Sequence, residues 1–261
     1  MLDQMAMPGV QAGLRWIKRF APNPTARIRL LCLPYAGAGP SVFRGWPRLM
    51  DSRIEVMAGQ LPGREARLRE PFAQSAQEIT QALAGELLRL CPHEPLAVFG
   101  HSMGSILAYD LARRLKEQHG WRVKALIVSG RQPPHVVFGG DFHSRPEPEF
   151  IAEIQRLNGT PSAIFGDAEM RNLVLPVLRA DYRVIETYEA RRGGLLDCPM
   201  VSCTSDRDED APRERMNLWQ SLSSGPFEAW DFIGDHFFLK DQAADLTARL
   251  NRYLLAPGAI A

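Results

Sequence analysis

Short, nearly continuous apolar runs alternate along the chain with amphipathic stretches of a dozen residues or more. The runs occupy residues 28–33, 54–60, 96–99, 123–129, 198–204 and 227–233. Because they lack polar–apolar alternation, we expect strands buried on both faces, as in a mostly parallel sheet with helices on either side. Residues 75–90 show helical spacing, with Ile79, Leu83 and Leu87 on one face. The pattern predicts an α/β fold.

This rhythm is interrupted between residues 131 and 194, where prolines punctuate two helical patterns and no convincing strand occurs. The patterns cover residues 147–157 and 168–188; further helices are expected over residues 41–50, 102–118, 212–222 and 243–255. We therefore predict a helical lid insertion at 131–194 over the carboxyl edge of the sheet. The core would comprise residues 28–130 and 195–257, preceded by a loosely attached leader at 1–27.

The pentapeptide Gly-His-Ser-Met-Gly at residues 100–104 lies between an apolar run and a helical pattern. A strand, a Gly-x-Ser-x-Gly turn and a helix in succession form a nucleophile elbow, which presents the serine hydroxyl above the sheet. Glycines are needed because side chains beside so sharp a turn would hold strand and helix apart. The pattern predicts Ser102 as a nucleophile; a chance pentapeptide in a loop is the alternative.

A serine hydroxyl becomes a good nucleophile only when a base takes its proton and an acid orients that base. In folds with this elbow the partners follow the serine in the order acid, then histidine. His236 comes after the last apolar run and before the final helical pattern, where a loop can approach Ser102. The other histidines come too early in the chain: His93, His101, His119, His135 and His143.

The orienting acid is sought in residues 205–210, where four carboxylates follow an apolar run. Most of them must belong to a solvated turn, for which aspartate is a favoured residue. We expect one carboxylate to turn inward and favour Asp208 over Asp206, because the acid usually lies a few residues beyond the strand end. Asp197 is excluded because it precedes the strand.

The oxyanion that forms during acyl transfer needs two hydrogen-bond donors. One is expected to be the backbone N–H of Met103, which follows the nucleophile, and the other an N–H of the loop after the first buried run. Within that loop, residues 34–39, Ala36 is our candidate. A phosphate-binding role is disfavoured because the loop has neither a lysine nor the required spacing.

Composition excludes several classes of protein. A net charge of +1, from 31 basic and 30 acidic residues, gives no electrostatic reason for binding nucleic acid or an anionic membrane. The cysteines show no metal-ligand spacing, and Cys32, Cys198 and Cys203 are expected to be buried thiols. The N-terminus has no apolar signal region, and no run is long enough to cross a membrane. We expect a cytoplasmic monomer without a metal or a cofactor.

Four segments, in this order, resemble the type II thioesterases that accompany nonribosomal peptide and polyketide synthases. They are residues 33–39 (Leu-Pro-Tyr-Ala-Gly-Ala-Gly), 61–67 (Leu-Pro-Gly-Arg-Glu-Ala-Arg), the elbow, and 234–239 (Gly-Asp-His-Phe-Phe-Leu). The resemblance covers about residues 28–255. It implies a stand-alone α/β hydrolase that edits or regenerates a synthase, removing acyl or aminoacyl groups from the phosphopantetheine arm of its carrier proteins through an acyl-enzyme.

Carried over residue by residue, the family's triad falls on Ser102, Asp208 and His236. The family often has a glycine at the start of the acid-bearing loop, whereas this chain has Ser205, so the choice between Asp206 and Asp208 stays open. The implied partners are carrier protein domains, and no separate cofactor is implied.

Two arginines of the Pro-Gly-Arg segment, Arg64 and Arg67, are candidates for contacting an acidic carrier protein. The alternative for Arg64 is a structural ion pair within the protein. Exposed basic residues are common and mostly solvated, so an arginine near the site does not by itself indicate docking.

Two other functions fit the same residues. A general serine carboxylesterase or an acyltransferase could use the same triad, because the fold does not determine the acyl acceptor. A non-catalytic adaptor for carrier proteins is the second alternative. The presence of Ser102, His236 and an acidic loop argues against the adaptor, which would need none of them.

Overall fold

The computed structural model of the chain describes residues 14–136, 140–157, 162–190 and 193–256. In these segments one sheet has the strand order β1-β3-β2-β4-β5-β6-β7, and only β1 runs antiparallel to its neighbour. The strands are β1 (Ile17–Arg19), β2 (Ile28–Leu33), β3 (Ile54–Gly59), β4 (Leu96–His101), β5 (Ala125–Ser129), β6 (Met200–Ser205) and β7 (Phe227–Phe232). The predicted mostly parallel α/β sheet is confirmed.

The described helices follow the predicted rhythm closely. They are α1 (Ala76–Leu90), α2 (Met103–His119), α3 (Glu147–Arg156), α4 (Ser162–Gly166), α5 (Ala168–Glu186), α6 (Arg213–Met216), α7 (Phe238–Asp241) and α8 (Ala243–Leu255). The helix predicted at 41–50 is wrong: two 3-10 helices, Pro40–Phe43 and Trp46–Arg48, take its place. Pro47 interrupts an α-helix there because its ring lacks an N–H and clashes with the preceding turn. The helix predicted at 212–222 is also divided, into α6 and the 3-10 helix Asn217–Leu222.

Helices cover both faces of the sheet, as the unbroken apolar runs indicated. In β2, Leu31 and Leu33 belong to a core that includes residues of α1 and α2. Leu30 and Cys32 point to the opposite face, where their core includes residues of α8. Successive side chains of a strand alternate between faces, so a strand buried on both sides must be apolar throughout.

The strand order creates a crevice at the carboxyl edge of the sheet. Along the chain β2 is followed by β3 on one side, and β4 then pairs with β2 on the other side. The connections after β2 and β4 therefore leave in opposite directions, and such a reversal is where α/β folds bind ligands. The oxyanion-loop candidate follows β2, and Ser102 follows β4.

The insertion between β5 and β6 contributes α3, α4 and α5, and no strand occurs in its described residues. It has its own apolar cluster, formed by Phe150, Ile154, Phe165, Leu175 and Leu178. Ala36 of the core packs against this cluster, so the insertion lies on the loop after β2. Residues 137–139, 158–161 and 191–192 of the predicted lid lie outside the described residues.

The interpretation of residues 1–27 as a loose leader is wrong for β1. Ile17 is buried, and β1 pairs with β3 at the edge of the sheet. The buried carboxylate of Glu86 in α1 accepts hydrogen bonds from the backbone N–H groups of Arg15, Trp16 and Ile17. This attachment depends on a residue about 70 positions away, which a local pattern does not reveal. Residues 1–13 of the predicted leader and residue 257, the end of the predicted core, lie outside the described residues.

Glu86→Ala is expected to lower the free energy of unfolding by about 2–4 kcal/mol, because it removes the acceptor of several buried or half-buried N–H groups. Urea denaturation followed by circular dichroism measures this change. The control is Gln81→Ala, at an exposed position of the same helix. Equal small effects of the two substitutions would show that the Glu86 carboxylate does not hold β1.

Candidate active site

Ser102 lies at a sharp turn between the end of β4 and the start of α2. Its backbone has φ 53° and ψ −115°, a strained conformation for a residue with a side chain. The Ser102 N–H donates to the carbonyl of Ser129, 2.7 Å away, which ties the turn to β5. Strain of this kind persists only where the surroundings enforce it.

Gly100 and Gly104 are required by the contact between strand and helix. A Cβ on Gly100 would lie 2.0 Å from the carbonyl oxygen of Gly104. A Cβ on Gly104 would lie 2.1 Å from the carbonyl oxygen of Leu33, the last residue of β2. Both distances are far below van der Waals contact with backbone that has no freedom to move aside. The turn therefore has the shape that the Gly-x-Ser-x-Gly pattern predicted.

His236 and Asp208 meet on neighbouring connections, after β7 and after β6. The Nδ1 atom of His236 is 2.9 Å from Oδ2 of Asp208, and both side chains are buried. Asp208 Oδ1 accepts hydrogen bonds from the N–H groups of Asp210 and Ala211, at 3.2 and 3.3 Å. An ionised Asp208 requires the proton of a neutral imidazole on Nδ1, which leaves Nε2 to accept another proton.

Asp206 has a different position from Asp208. It is exposed, and its Oδ1 accepts the N–H of Gly234 at 2.8 Å. Beside it, the Ser205 hydroxyl donates to the carbonyl of Asp235 at 2.8 Å. Both residues therefore join the connection after β6 to the connection that carries His236. Ser205, at the start of the acid-bearing loop, takes part in this attachment.

His101, inside the elbow, is completely buried. Its Nδ1 lies 2.8 Å from the Ser129 hydroxyl, and its ring packs 5.3 Å from that of His236, measured between centroids. Burial lowers the pKa of His101 well below its usual value, so the ring is neutral at physiological pH. A Cβ on Gly130 would lie 2.7 Å from its Cε1 atom. The His101 ring is therefore a neutral, fully enclosed group that packs against Ser129, Gly130 and His236 beside the elbow.

One cavity of about 350 Å³ is lined by three of the five predicted site residues. Ser102, His236 and Ala36 line it from the core, and Leu178, Tyr182 and Ile185 of α5 line it from the insertion. Five charged residues also line the cavity: Arg131, Glu153, Arg156, Glu186 and Asp210. The insertion thus forms one wall of the space above the elbow.

The two predicted oxyanion donors are the backbone N–H groups of Ala36 and Met103. The Met103 amide is at the N-terminus of α2, where helical N–H groups have no intrahelical acceptor. Among the described residues, no backbone acceptor faces the amide of Ala36 or of Met103. Ala36 lines the cavity, whereas Met103 is completely buried and is not among the lining residues.

The expected contact of Arg64 and Arg67 with a partner surface is wrong, because these side chains are only 7% and 5% exposed. Arg64 forms a bidentate ion pair with Asp181 of α5. Arg67 donates to the carbonyl of Gln60 and packs over the ring of Trp16. The structural alternative holds for Arg64.

Asp181 was not singled out from the sequence, although a signal for it exists. It lies on the buried face of α5 together with Val177, Leu178, Val184 and Ile185, at helical spacing. A carboxylate in such an apolar face needs a partner inside the protein. The sequence shows this need without showing which residue meets it.

Among the described residues, no group of three or more His, Cys, Asp or Glu side chains is arranged to hold a metal ion. No described helix has the length and apolar character to cross a membrane. The cysteines are free and buried, and burial raises the pKa of Cys198 to about 12.

A mostly parallel sheet with a serine elbow after β4 and a His–Asp pair after β6 and β7 places the protein among the α/β hydrolases. The family model described as "Thioesterase domain" matches residues 28–253. The chain therefore belongs to the thioesterase family, and it is a hydrolase of thioesters. This confirms the resemblance seen in the sequence.

Three relatives define the closer similarity. Thioesterase PikA5 of Streptomyces venezuelae is 37% identical, over 94% of this chain and 87% of its own length. The solved structure of BorB, a type II thioesterase from the borrelidin biosynthetic cluster, is 36% identical with a TM-score of 0.81, covering 90% of this chain and 96% of BorB. YbtT, a type II thioesterase from the yersiniabactin NRPS/PKS biosynthetic pathway, is 27% identical with a TM-score of 0.84, covering 94% of this chain and 100% of YbtT.

Gly104→Ala is expected to lower kcat/KM for a small acyl thioester by about 100-fold or more, because the Cβ would push α2 and Ser102 away from β2. Helix propensity alone would predict a small gain in stability from this substitution, with no reason for a loss of activity. Gly85→Ala is the matched control, since a Cβ there meets nothing within 4 Å. Full activity of Gly104→Ala would contradict the close contact with Leu33.

Proposed function

We propose that this enzyme hydrolyses acyl and aminoacyl thioesters on the phosphopantetheine arm of carrier proteins, and so edits or regenerates a nonribosomal peptide or polyketide synthase. Ser102 is the nucleophile, His236 the base and Asp208 the orienting acid. The observation that carries the proposal is the buried His236–Asp208 pair, in which His236 lines the same cavity as Ser102. The similarity to type II thioesterases supports the choice of substrate.

The first half of the reaction forms an acyl-enzyme. Nε2 of His236 takes the proton of the Ser102 hydroxyl while Oγ bonds to the thioester carbonyl carbon. The amides of Ala36 and Met103 bind the resulting oxyanion, and Asp208 stabilises the imidazolium. The C–S bond then breaks, and the pantetheine sulfur leaves as a thiol with the proton from His236.

The second half uses water. His236 removes a proton from a water molecule as its oxygen bonds to the acyl carbon, and Ser102 leaves with the proton that His236 returns. A thiolate is a good leaving group, so the protein mainly has to place the carbonyl and stabilise the oxyanion. The insertion at 131–194 acts as the lid that shields this acyl-enzyme, with α3 and α5 as the walls of the acyl site.

The substrate is tested with carrier proteins loaded with different acyl groups and analysed by intact mass. The enzyme is expected to release acyl and aminoacyl groups, returning the free-thiol carrier protein. Ser102→Ala should abolish release, and a serine-directed fluorophosphonate should label wild type at Ser102 only. Faster cleavage of a matched oxygen ester than of the acyl-pantetheine thioester would favour the carboxylesterase alternative.

The triad acid is tested by a matched pair of substitutions. Asp208→Asn should lower kcat about 10⁴-fold, because an amide does not hold the Nδ1–H tautomer of His236. Asp206→Asn keeps an oxygen acceptor for Gly234 and should cost less than about 10-fold. Steady-state kinetics on an acyl-pantetheine thioester measures both. The opposite order of losses would assign the acid to Asp206.

A further inference from the structure

A single carboxylate joins the insertion to two loops of the core. Asp181 of α5 is only 3% exposed. Its Oδ2 accepts the N–H of Gly37 at 2.7 Å and Nη1 of Arg64 at 2.5 Å, and its Oδ1 accepts Nη2 of Arg64 at 2.8 Å. Arg64 Nη1 also donates to the carbonyl of Ala38 at 3.2 Å. Asp181 and Arg64 therefore hold the loop after β2 from both sides of Gly37.

An apolar side chain of α5 also packs against this loop, beside the contacts of Asp181. Leu178 precedes Asp181 by about one turn, so both side chains lie on the same face of α5. A Cβ on Gly37 would lie 2.6 Å from Cδ2 of Leu178, and Gly37 has φ +81°. This left-handed conformation favours glycine, and a Cβ at this position would have to displace the end of the Leu178 side chain.

These contacts fix the peptide group that carries the Ala36 N–H. That group also contains the carbonyl of Tyr35, which accepts the N–H of Ala38 at 3.1 Å. The next peptide group contains the Gly37 N–H, which Asp181 holds. Since peptide groups are planar, anchoring both groups fixes the direction of the Ala36 N–H.

We propose that Asp181 is a positioning residue for acyl transfer: from the insertion, it aims the Ala36 amide at the place where the oxyanion forms. The inference rests on the function proposed above, in which Ala36 is an oxyanion donor. It also means that the oxyanion site is complete only while α5 lies against the loop. The ion pair thus serves to select one loop conformation, a role for which buried charges are suited.

The kinetic consequence is specific. An oxyanion donor acts in the transition state, at about 2.7–3.1 Å from the oxyanion, and contributes little to the bound substrate. Asp181→Ala should therefore lower kcat about 10- to 100-fold with KM for an acyl-pantetheine thioester nearly unchanged. Asp181→Asn keeps an acceptor for the Gly37 N–H and should lose less than Asp181→Ala.

Tyr188→Phe is the matched control. The Tyr188 hydroxyl donates to Asp110 of α2 at 3.1 Å, so it also links the end of the insertion to the core, without contact to the loop at Gly37. Its kcat should stay within about 2-fold of wild type. Thermal unfolding of every variant shows which proteins are folded, and the near-isosteric Asp181→Asn serves if Asp181→Ala does not fold.

Two inhibitors separate positioning from general stability. An acyl trifluoromethyl ketone adds to Ser102 and forms an oxyanion, whereas the matching pantetheine thioether binds without one. In the Asp181 variants the ketone should weaken by the factor lost in kcat, and the thioether should bind as in wild type. Equal weakening of both, or a kcat equal to that of Tyr188→Phe, would overturn the inference. Full activity of Ser102→Ala would instead overturn the proposed function.

Discussion

The close contact of α2 with the carboxyl ends of β2 and β4 is the constraint on which the site depends. Gly104 touches the carbonyl of Leu33, and Gly100 touches the carbonyl of Gly104. The turn at Ser102 is therefore placed against the same strand end from which the Ala36 loop departs. Ser102 and the loop that carries Ala36, the proposed nucleophile and oxyanion loop, are thus positioned by the same strand end, and only backbone without Cβ atoms lets them approach so closely.

His236 and Asp208, the proposed base and acid, are positioned by a second set of backbone attachments. They follow β7 and β6, which are neighbouring parallel strands, so their connections leave the sheet side by side. Ser205 and Asp206 then bond to backbone groups of the connection that carries His236. A short hydrogen bond such as that between His236 and Asp208 needs its two loops held together, and Ser205 and Asp206 provide that.

Most strands, the elbow and the position of His236 could be predicted because they follow from local patterns: apolar runs, glycine spacing and strand order. The three-residue strand β1 could not, since its attachment depends on Glu86 in a distant helix. The choice between Asp206 and Asp208 depends on which carboxylate a turn directs inward, and composition does not encode this. The sequence also does not show that Arg64 is buried, because its partner Asp181 lies 117 positions away.

The insertion is more than a cover over a finished site. A buried ion pair often adds little net stability, because desolvation of both charges offsets their attraction. A pair placed between α5 and the loop after β2 still distinguishes strongly between conformations, since separating Asp181 from Arg64 would leave each charge buried without its partner. The apolar contact of Leu178 with Gly37 disfavours small displacements in the same way, because close-packed groups have no space to slide. One helix, α5, thus lines the cavity and holds the loop after β2. In the proposed mechanism, binding the acyl chain and stabilising its oxyanion therefore depend on the same packing.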